Sequence, residues 1–348
     1  MSGTPAVTLP TGGFRRIAVL RLSSLGDVVL TLPAVHALRR AWPEARITYW
    51  VKEEYAAVVR HDPALDHVRV LERDARRIED LVSMSAELED HDLIVDLHGN
   101  ARTRILTFRQ QARVVRTRSW RMARARWVHA RWSRPTPLPS VLERHAATLA
   151  PLGVKVTGVP RVTVPGSDED WAATALAALG AERPCVALAP GALHATKRWP
   201  EERWCALDER LEGLGIARVV LSTAAERRGL SRLAARIEGS TTATWLTGSL
   251  ERAAAAIGHC RVAVTHDSGL MHLAAARGVP VVAIFGSTSP VLGFAPAGEG
   301  HALVQTELAC RPCTLHGRER CPLGHFRCMT DLAPEAVLAQ VTRRLGDR

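Results

Sequence analysis

The feature that most constrains this chain is a repeated alternation: short, apolar, β-branched runs are followed by amphipathic stretches of helical period, and the whole series occurs twice. Parallel strands cannot be joined by a tight turn, and a crossover helix supplies the missing connection. In the first half the runs predict strands at 16–20, 47–51, 68–71, 93–96 and 113–116, with helices over 27–41, 53–60 and 76–89. The second half predicts strands at 186–189, 218–222, 244–246, 261–265 and 281–285, with helices over 201–214, 225–237, 250–257 and 270–277. The expected class is α/β: two Rossmann-like, doubly wound parallel-sheet domains facing across a cleft.

Ser140 and Glu143 form a capping box that opens a helix ending near Gly153, and a Pro- and Val-rich extended stretch over 154–165 follows. The first domain is therefore expected over 1–165 and the second over 166–330, opening with a helix at 168–179. Residues 331–348 are expected as a closing amphipathic helix that packs back toward the first domain. A length of 348 residues gives each domain its own core, and 47% hydrophobic with 23% charged residues is a globular composition. No run approaches the roughly 18 to 20 apolar residues of a membrane span. The start, MSGTPAVTLPTGG, has neither a basic n-region nor an apolar core, so no export signal is expected.

The net charge of +11 is local: eleven of the 46 basic residues are arginines between Arg102 and Arg134, a stretch without lysine or acid, and 35 basic residues remain against 35 acidic ones. With Trp120, Trp127 and Trp132 interleaved, such a stretch suits nucleic acid, a phosphorylated lipid or an anionic membrane surface, the alternative being a solvated basic helix face. Cys185, Cys205 and Cys260 stand alone in or beside apolar stretches, as reduced cysteines do. Cys310, Cys313, Cys321 and Cys328, with His316 and His325 among them, have ligand types suited to zinc but not the spacing of a standard ribbon. A structural metal, packing cysteines and disulfides are the three readings, the last disfavoured in a reducing compartment.

Three turns carry candidate chemistry. After the first strand, Arg21-Leu22-Ser23-Ser24-Leu25-Gly26-Asp27 offers two hydroxyls and a carboxylate at a helix start but one glycine of the three in a dinucleotide fingerprint, which disfavours an oxidoreductase. The helix dipole is expected to depress the Asp27 pKa. In the second half, Gly191 permits close backbone approach to a ligand, and Lys197 with Arg198 places two cations near a helix start, an arrangement suited to a diphosphate. Asp267, Ser268, Gly269 and His272 follow a buried strand and open another helix, where free N–H groups can cradle phosphate. Gly286, Ser287, Thr288 and Ser289 form a similar exit that completes the pocket.

The segments RLSSLGDVVLTLPAVHALR from Arg21, PGALHATKRWPEERW from Pro190 and THDSGLMHLAAARGVPVVAIFGSTSP from Thr265 resemble glycosyltransferase family 9, the bacterial lipopolysaccharide heptosyltransferases, in order and over most of the chain. That resemblance implies a GT-B fold, with the acceptor on the first domain and the nucleotide-sugar on the second. It implies inverting, metal-independent transfer of L-glycero-D-manno-heptose from ADP-heptose, with no cofactor, to lipid A–Kdo or a heptosylated inner core, as a cytoplasmic protein peripheral to the inner membrane. By the same resemblance Asp27 is the catalytic base and Arg21, with Ser23 and Ser24, lies on the acceptor side. Lys197 meets the diphosphate, Glu226 the adenosine ribose, and Asp267, Ser268, Gly269 and His272 the phosphates and heptose. Met271 and Leu246 neighbour the adenine. Ala192, Leu193, His194, Ala195 and Thr196 replace the Thr-Thr pair that one branch carries ahead of the lysine.

The chemistry agrees with these residues. Negative charge builds on the departing ADP, which cations and helix N-termini stabilise, and a carboxylate takes the acceptor's proton. Asp168-Glu169-Asp170 reads as helix-start acids and not as a metal motif. Arg118, Arg121 and Arg124, within the arginine stretch, are expected to dock the acceptor's anionic end at the membrane. The expected activity is a heptosyltransferase resembling the type that adds the second inner-core heptose. The alternatives are a family 9 transferase of another nucleotide-sugar and a nucleic-acid-binding protein acting between Arg102 and Arg134; no nucleic-acid partner is expected on the main reading.

Overall fold

The computed structural model describes residues 13–71, 78–129, 138–180 and 183–346. Five parallel strands, β1 (Arg16–Leu20), β2 (Arg46–Lys52), β3 (His67–Leu71), β4 (Leu93–Asp96) and β5 (Arg113–Arg116), pair in the order β3-β2-β1-β4-β5. Six more, β6 (Cys185–Ala189), β7 (Ala217–Ser222), β8 (Ala243–Thr247), β9 (Val262–His266), β10 (Val281–Phe285) and β11 (Ala302–Gln305), pair in the order β11-β10-β9-β6-β7-β8, again all parallel. Each order reverses once, between β1 and β4 and between β6 and β9. Crossovers on the two sides of a reversal leave in opposite directions and open a crevice at the carboxyl ends of the strands.

Ten of the strands lie where the apolar runs place them, to within a residue at either end. β11 was not expected: it is an edge strand of four residues with Leu303 turned to solvent, and its apolar run, Ala302 to Val304, is short. The helix expected over 27–41 is two, Leu25–Val29 and Leu32–Ala41. Pro33 has no N–H for the carbonyl four residues back, and Thr31 Oγ1 donates to Val28 O at 2.7 Å, closing the first helix early. The helix over 225–237 likewise divides at Gly229 and Leu230 into Ala224–Arg228 and Ser231–Glu238. The expected helix over 76–89 is the helix Ile78–Ser85 and a 3₁₀ turn Ala86–Leu88; residues 76 and 77 lie outside the described residues.

Among the described residues, those within Met1–Met122 and Pro139–Thr163 form one compact unit, and those within Ala123–Leu138 and Val164–Arg348 form the other. The helix Arg121–His129 therefore straddles the partition, although the sequence expectation assigned all of 1–165 to the first domain. The closing helix Pro334–Gly346 belongs to the second unit. It packs on the helix Glu201–Gly213 and on β9, β10 and β11 of the second unit, with Val337 and Val341 wholly buried. Its apolar stripe is consumed in covering the second sheet.

The second core also encloses a cation. Arg218 on β7 is fully buried, with Nε 2.9 Å from Asp208 Oδ1 and Nη2 2.9 Å from Glu212 Oε1. Removing one partner of a buried pair strands the other charge in a low-dielectric interior. Arg218→Leu is expected to destabilise the protein by about 3 kcal/mol in urea denaturation, whereas Arg232→Leu, on an exposed pair with Glu202, should change stability by less than about 1 kcal/mol.

Candidate active site

In the first unit, the turn after β1 is organised by Arg21. Its Nε donates to Ser23 O at 2.9 Å, Nη1 donates to Leu97 O at 2.6 Å, and Nη2 lies 2.6 Å from Asp27 Oδ1. Asp27 Oδ2 accepts from Ser24 Oγ at 2.8 Å and from the Ser24 N–H at 3.3 Å. Burial opposes ionisation of Asp27, but the Arg21 charge and the Ser24 hydrogen bonds outweigh it and hold the carboxyl down to about 2. The helix that Asp27 sits on has five residues, so a specific guanidinium, and not a long helix dipole, accounts for the depression. Arg21, Ser24 and Asp27 thus form one bonded group, while Ser23 contributes its carbonyl.

The second unit gathers its candidates at the carboxyl ends of β6, β7, β9 and β10. Lys197 Nζ donates to Asp267 O and lies 2.8 Å from Asp267 Oδ2, and Thr288 Oγ1 donates to the same Oδ2 at 2.6 Å. Gly191 is required by contact: a Cβ there would lie 2.1 Å from Glu226 Oε1. Glu226 is set by a capping box in which its Oε2 accepts from the Thr223 N–H at 2.9 Å. Ser268 caps the helix Gly269–Ala276 without bonding to it, leaving a buried Oγ with no partner. His272 is buried on that helix's first turn, and Met271 is wholly buried beneath it, so Met271 presents no surface to a ligand. Leu246 is half-buried in β8.

Sequence reasoning missed what positions these groups. His266 is fully buried; its Nε2 accepts from the Trp199 N–H at 2.8 Å and its Nδ1 bonds Gly191 O at 3.3 Å. Burial pushes its pKa to about 4, so a neutral ring with the proton on Nδ1 joins the glycine loop to the lysine loop. Arg198, expected beside Lys197 as a second phosphate cation, donates instead to Ala192 O and Leu193 O. Arg311 donates to the carbonyls of Phe285, Gly286, Thr288 and Thr306, gathering the ends of β10 and β11. The signal for His266 was its place at the end of a buried strand; Arg311 lies between two cysteines and carries no motif of its own.

The clustered cysteines are turned to different partners. Cys310 Sγ is 3.9 Å from His325 Nε2, Cys313 Sγ turns to Ser287 O at 3.7 Å, and Cys328 is buried in the second core. Among the described residues no three His, Cys, Asp or Glu side chains converge as a metal site, and all seven cysteines are free thiols. The arginine stretch is not one surface either. Arg116 Nε pairs with buried Asp96 Oδ2 at 2.6 Å, Arg124 lies over the Phe294 ring in the second unit, and Arg118 lies over Trp120 in the first. Arg118, Arg121 and Arg126 are exposed, while Arg131, Trp132 and Arg134 lie outside the described residues. No helix among the described residues is long and apolar enough to cross a membrane.

A family model for glycosyltransferase family 9 (heptosyltransferase) matches residues 83–323, more than half of the chain. The chain belongs to glycosyltransferase family 9. Lipopolysaccharide heptosyltransferase 1 of Pseudomonas aeruginosa is 29% identical over 347 residues, covering 93% of each chain. A family 9 glycosyltransferase structure from Veillonella parvula superposes with a TM-score of 0.78 at 22% identity, covering 96% of this chain and 98% of that one. The Escherichia coli ADP-heptose lipopolysaccharide heptosyltransferase II structure gives 0.73 at 20% identity, over 95% and 99%. The two parallel-sheet domains are those of the GT-B fold. As a family 9 member the protein is a glycosyltransferase of the heptosyltransferase kind, and the cradle around Lys197 lies within the matched residues.

The Asp27 shift has a measurable sign. A carboxyl held below its ordinary value stabilises the fold above that value and loses the contribution as pH falls toward its folded pKa. Asp27→Asn should therefore cost roughly 2 kcal/mol of stability at pH 7. The gap between parent and variant should close between about pH 4 and pH 2 in denaturant titrations.

Proposed function

We propose that this family 9 enzyme transfers heptose from ADP-heptose to the inner core of lipopolysaccharide, by inversion and without a metal cofactor, at the cytoplasmic face of the inner membrane. The observation that carries this reading is the group at the β6–β9 reversal, where Lys197 and the open helix start at Ser268 meet. A cation beside free N–H groups and an unpartnered hydroxyl suits the phosphates of a nucleotide-sugar. Glu226, next to the backbone of Gly191, suits ribose hydroxyls.

Acceptor attack from the face opposite the departing ADP inverts the anomeric carbon. As the bond to the acceptor oxygen forms, that oxygen becomes far more acidic than any carboxylic acid, so even a base held at about 2 receives its proton downhill. Asp27 takes the proton, and Arg21 keeps it ionised until then. Lys197 and the helix start stabilise the charge gathering on the diphosphate, which is the larger electrostatic task. Kinship to the Pseudomonas and Escherichia lipopolysaccharide enzymes favours this acceptor over that of another family 9 transferase.

The test is transfer from ADP-heptose to a deacylated inner-core oligosaccharide in the presence of EDTA, with the product's anomeric configuration read by NMR. Asp27→Asn should lower kcat by about two orders of magnitude or more while ADP affinity stays near that of the parent. Lys197→Ala should weaken ADP binding and slow transfer together. Failure of transfer from ADP-heptose, alongside transfer from a UDP- or GDP-sugar, would replace the donor.

The exposed arginines belong to the same reading. Arg118→Gln with Arg121→Gln should raise KM for a lipid-borne acceptor and reduce binding to anionic vesicles, with salt doing the same to the parent, since screening acts over about 8 Å at physiological ionic strength. Indifference of both measurements would leave these residues as a solvated face, and tight binding of duplex nucleic acid would favour the alternative class.

A further inference from the structure

At the carboxyl end of β4, Leu97 is bonded into the turn that holds Asp27: its N–H donates to Leu20 O at 3.1 Å and its carbonyl accepts from Arg21 Nη1 at 2.6 Å. His98 follows. Its backbone N–H and that of Gly99 donate to Asp96 Oδ1 at 3.0 and 2.8 Å, and Asp96, wholly buried, is gripped on its other oxygen by Arg116. Gly99 has a φ of +65°, and a Cβ there would meet Thr117 at 3.0 Å, so the turn presenting His98 admits little variation.

The side chain itself is unemployed. Nδ1 of His98 is buried without a hydrogen-bond partner, whereas Nε2 is not buried and makes no hydrogen bond among the described residues. An orphaned N–H in the interior costs more than an orphaned lone pair, which puts the proton on Nε2, at the open edge of the ring. Burial above all, then Arg21, pushes the imidazole pKa down to about 4; Asp96 and Asp27 pull upward, and Arg102 adds to the push downward. The ring is a neutral hydrogen-bond donor at the reversal of the first sheet, in the electrostatic field of the Arg21–Asp27 pair. That pair already matches its own charges, so a neutral donor there suits an uncharged oxygen.

We propose that His98 contacts the acceptor: its Nε2–H donates to a sugar oxygen beside the hydroxyl that Asp27 deprotonates, and so fixes that hydroxyl's approach. This inference rests on the reading of the first domain as the acceptor domain.

The experiment compares His98→Leu, which removes the donor, with His98→Gln, whose carboxamide nitrogen reaches the place of Nε2. The donor is ADP-heptose and the acceptor probe a deacylated inner-core oligosaccharide. His98→Leu should raise KM for the oligosaccharide and lower kcat/KM by about tenfold or more, with ADP affinity unchanged. The pH profile between 5.5 and 8 should keep its shape, because the ring does not titrate there, and His98→Gln should recover most of the loss. Equal loss in both variants, or a parallel fall in ADP affinity, marks a structural role and overturns the proposal. So does parent-like kcat/KM in His98→Leu while the parent transfers normally. A parent that transfers no heptose to the oligosaccharide overturns the functional reading, and this inference with it.

Discussion

Parallel pairing is the constraint from which the rest follows. Because every strand in each sheet runs the same way, every loop that leaves a carboxyl end emerges on one edge, and where the strand order reverses two such loops part and leave room. The candidate site residues stand at those two reversals: Arg21, Asp27 and His98 after β1 and β4, and Gly191, Lys197, Asp267 and Ser268 after β6 and β9. The carboxyl ends also leave carbonyls without strand partners. Several cations are spent on them: Arg21 on Leu97, Lys197 on Asp267, and Arg311 on four carbonyls at the β10 and β11 ends. A side chain that satisfies the backbone and also faces a charged partner is held in place by both.

The two carboxylates at the reversals illustrate opposite uses of such holding. Asp27 is bonded within its own turn by Arg21 and Ser24. Asp267 reaches across to Lys197 and Thr288, so the second unit's anion cradle is assembled from three separate loops. Positioning by short local bonds leaves Asp27 placed by a few consecutive residues, whereas the cradle needs the whole sheet to be in register.

Legibility followed the same division. The strands were readable because a buried parallel strand is a continuous apolar run, and β11 escaped because an edge strand of four residues need not be one. Helix breaks at Pro33 and Gly229 were present in the sequence but masked by an apolar period that continues through them. Asp27, Lys197, Asp267 and Ser268 were legible because motif spacing marks a strand-to-helix turn. Most of their supports were not, since His266, Arg311 and the bond from Arg21 to Leu97 join residues tens of positions apart. The arginine stretch was legible only as a whole: charge density along a sequence does not say which guanidinium is spent on Asp96 and which meets solvent.

The manner in which the segment around Arg311 is attached has a consequence for motion. Leu308 to Arg318 contains no helix or strand of its own; it is tied to the sheet through the Arg311 guanidinium, through the Cys313 N–H to Ser287 O, and through a reciprocal bridge between Thr196 and Arg318. Such a strap has no internal ladder to sustain it once detached, so its amides share one opening event and should exchange with deuterium as a set. Because Thr196 immediately precedes Lys197, that opening also frees the lysine loop on one side. A stretch with no helix or strand of its own is thus bonded to the residue that precedes the second unit's cation.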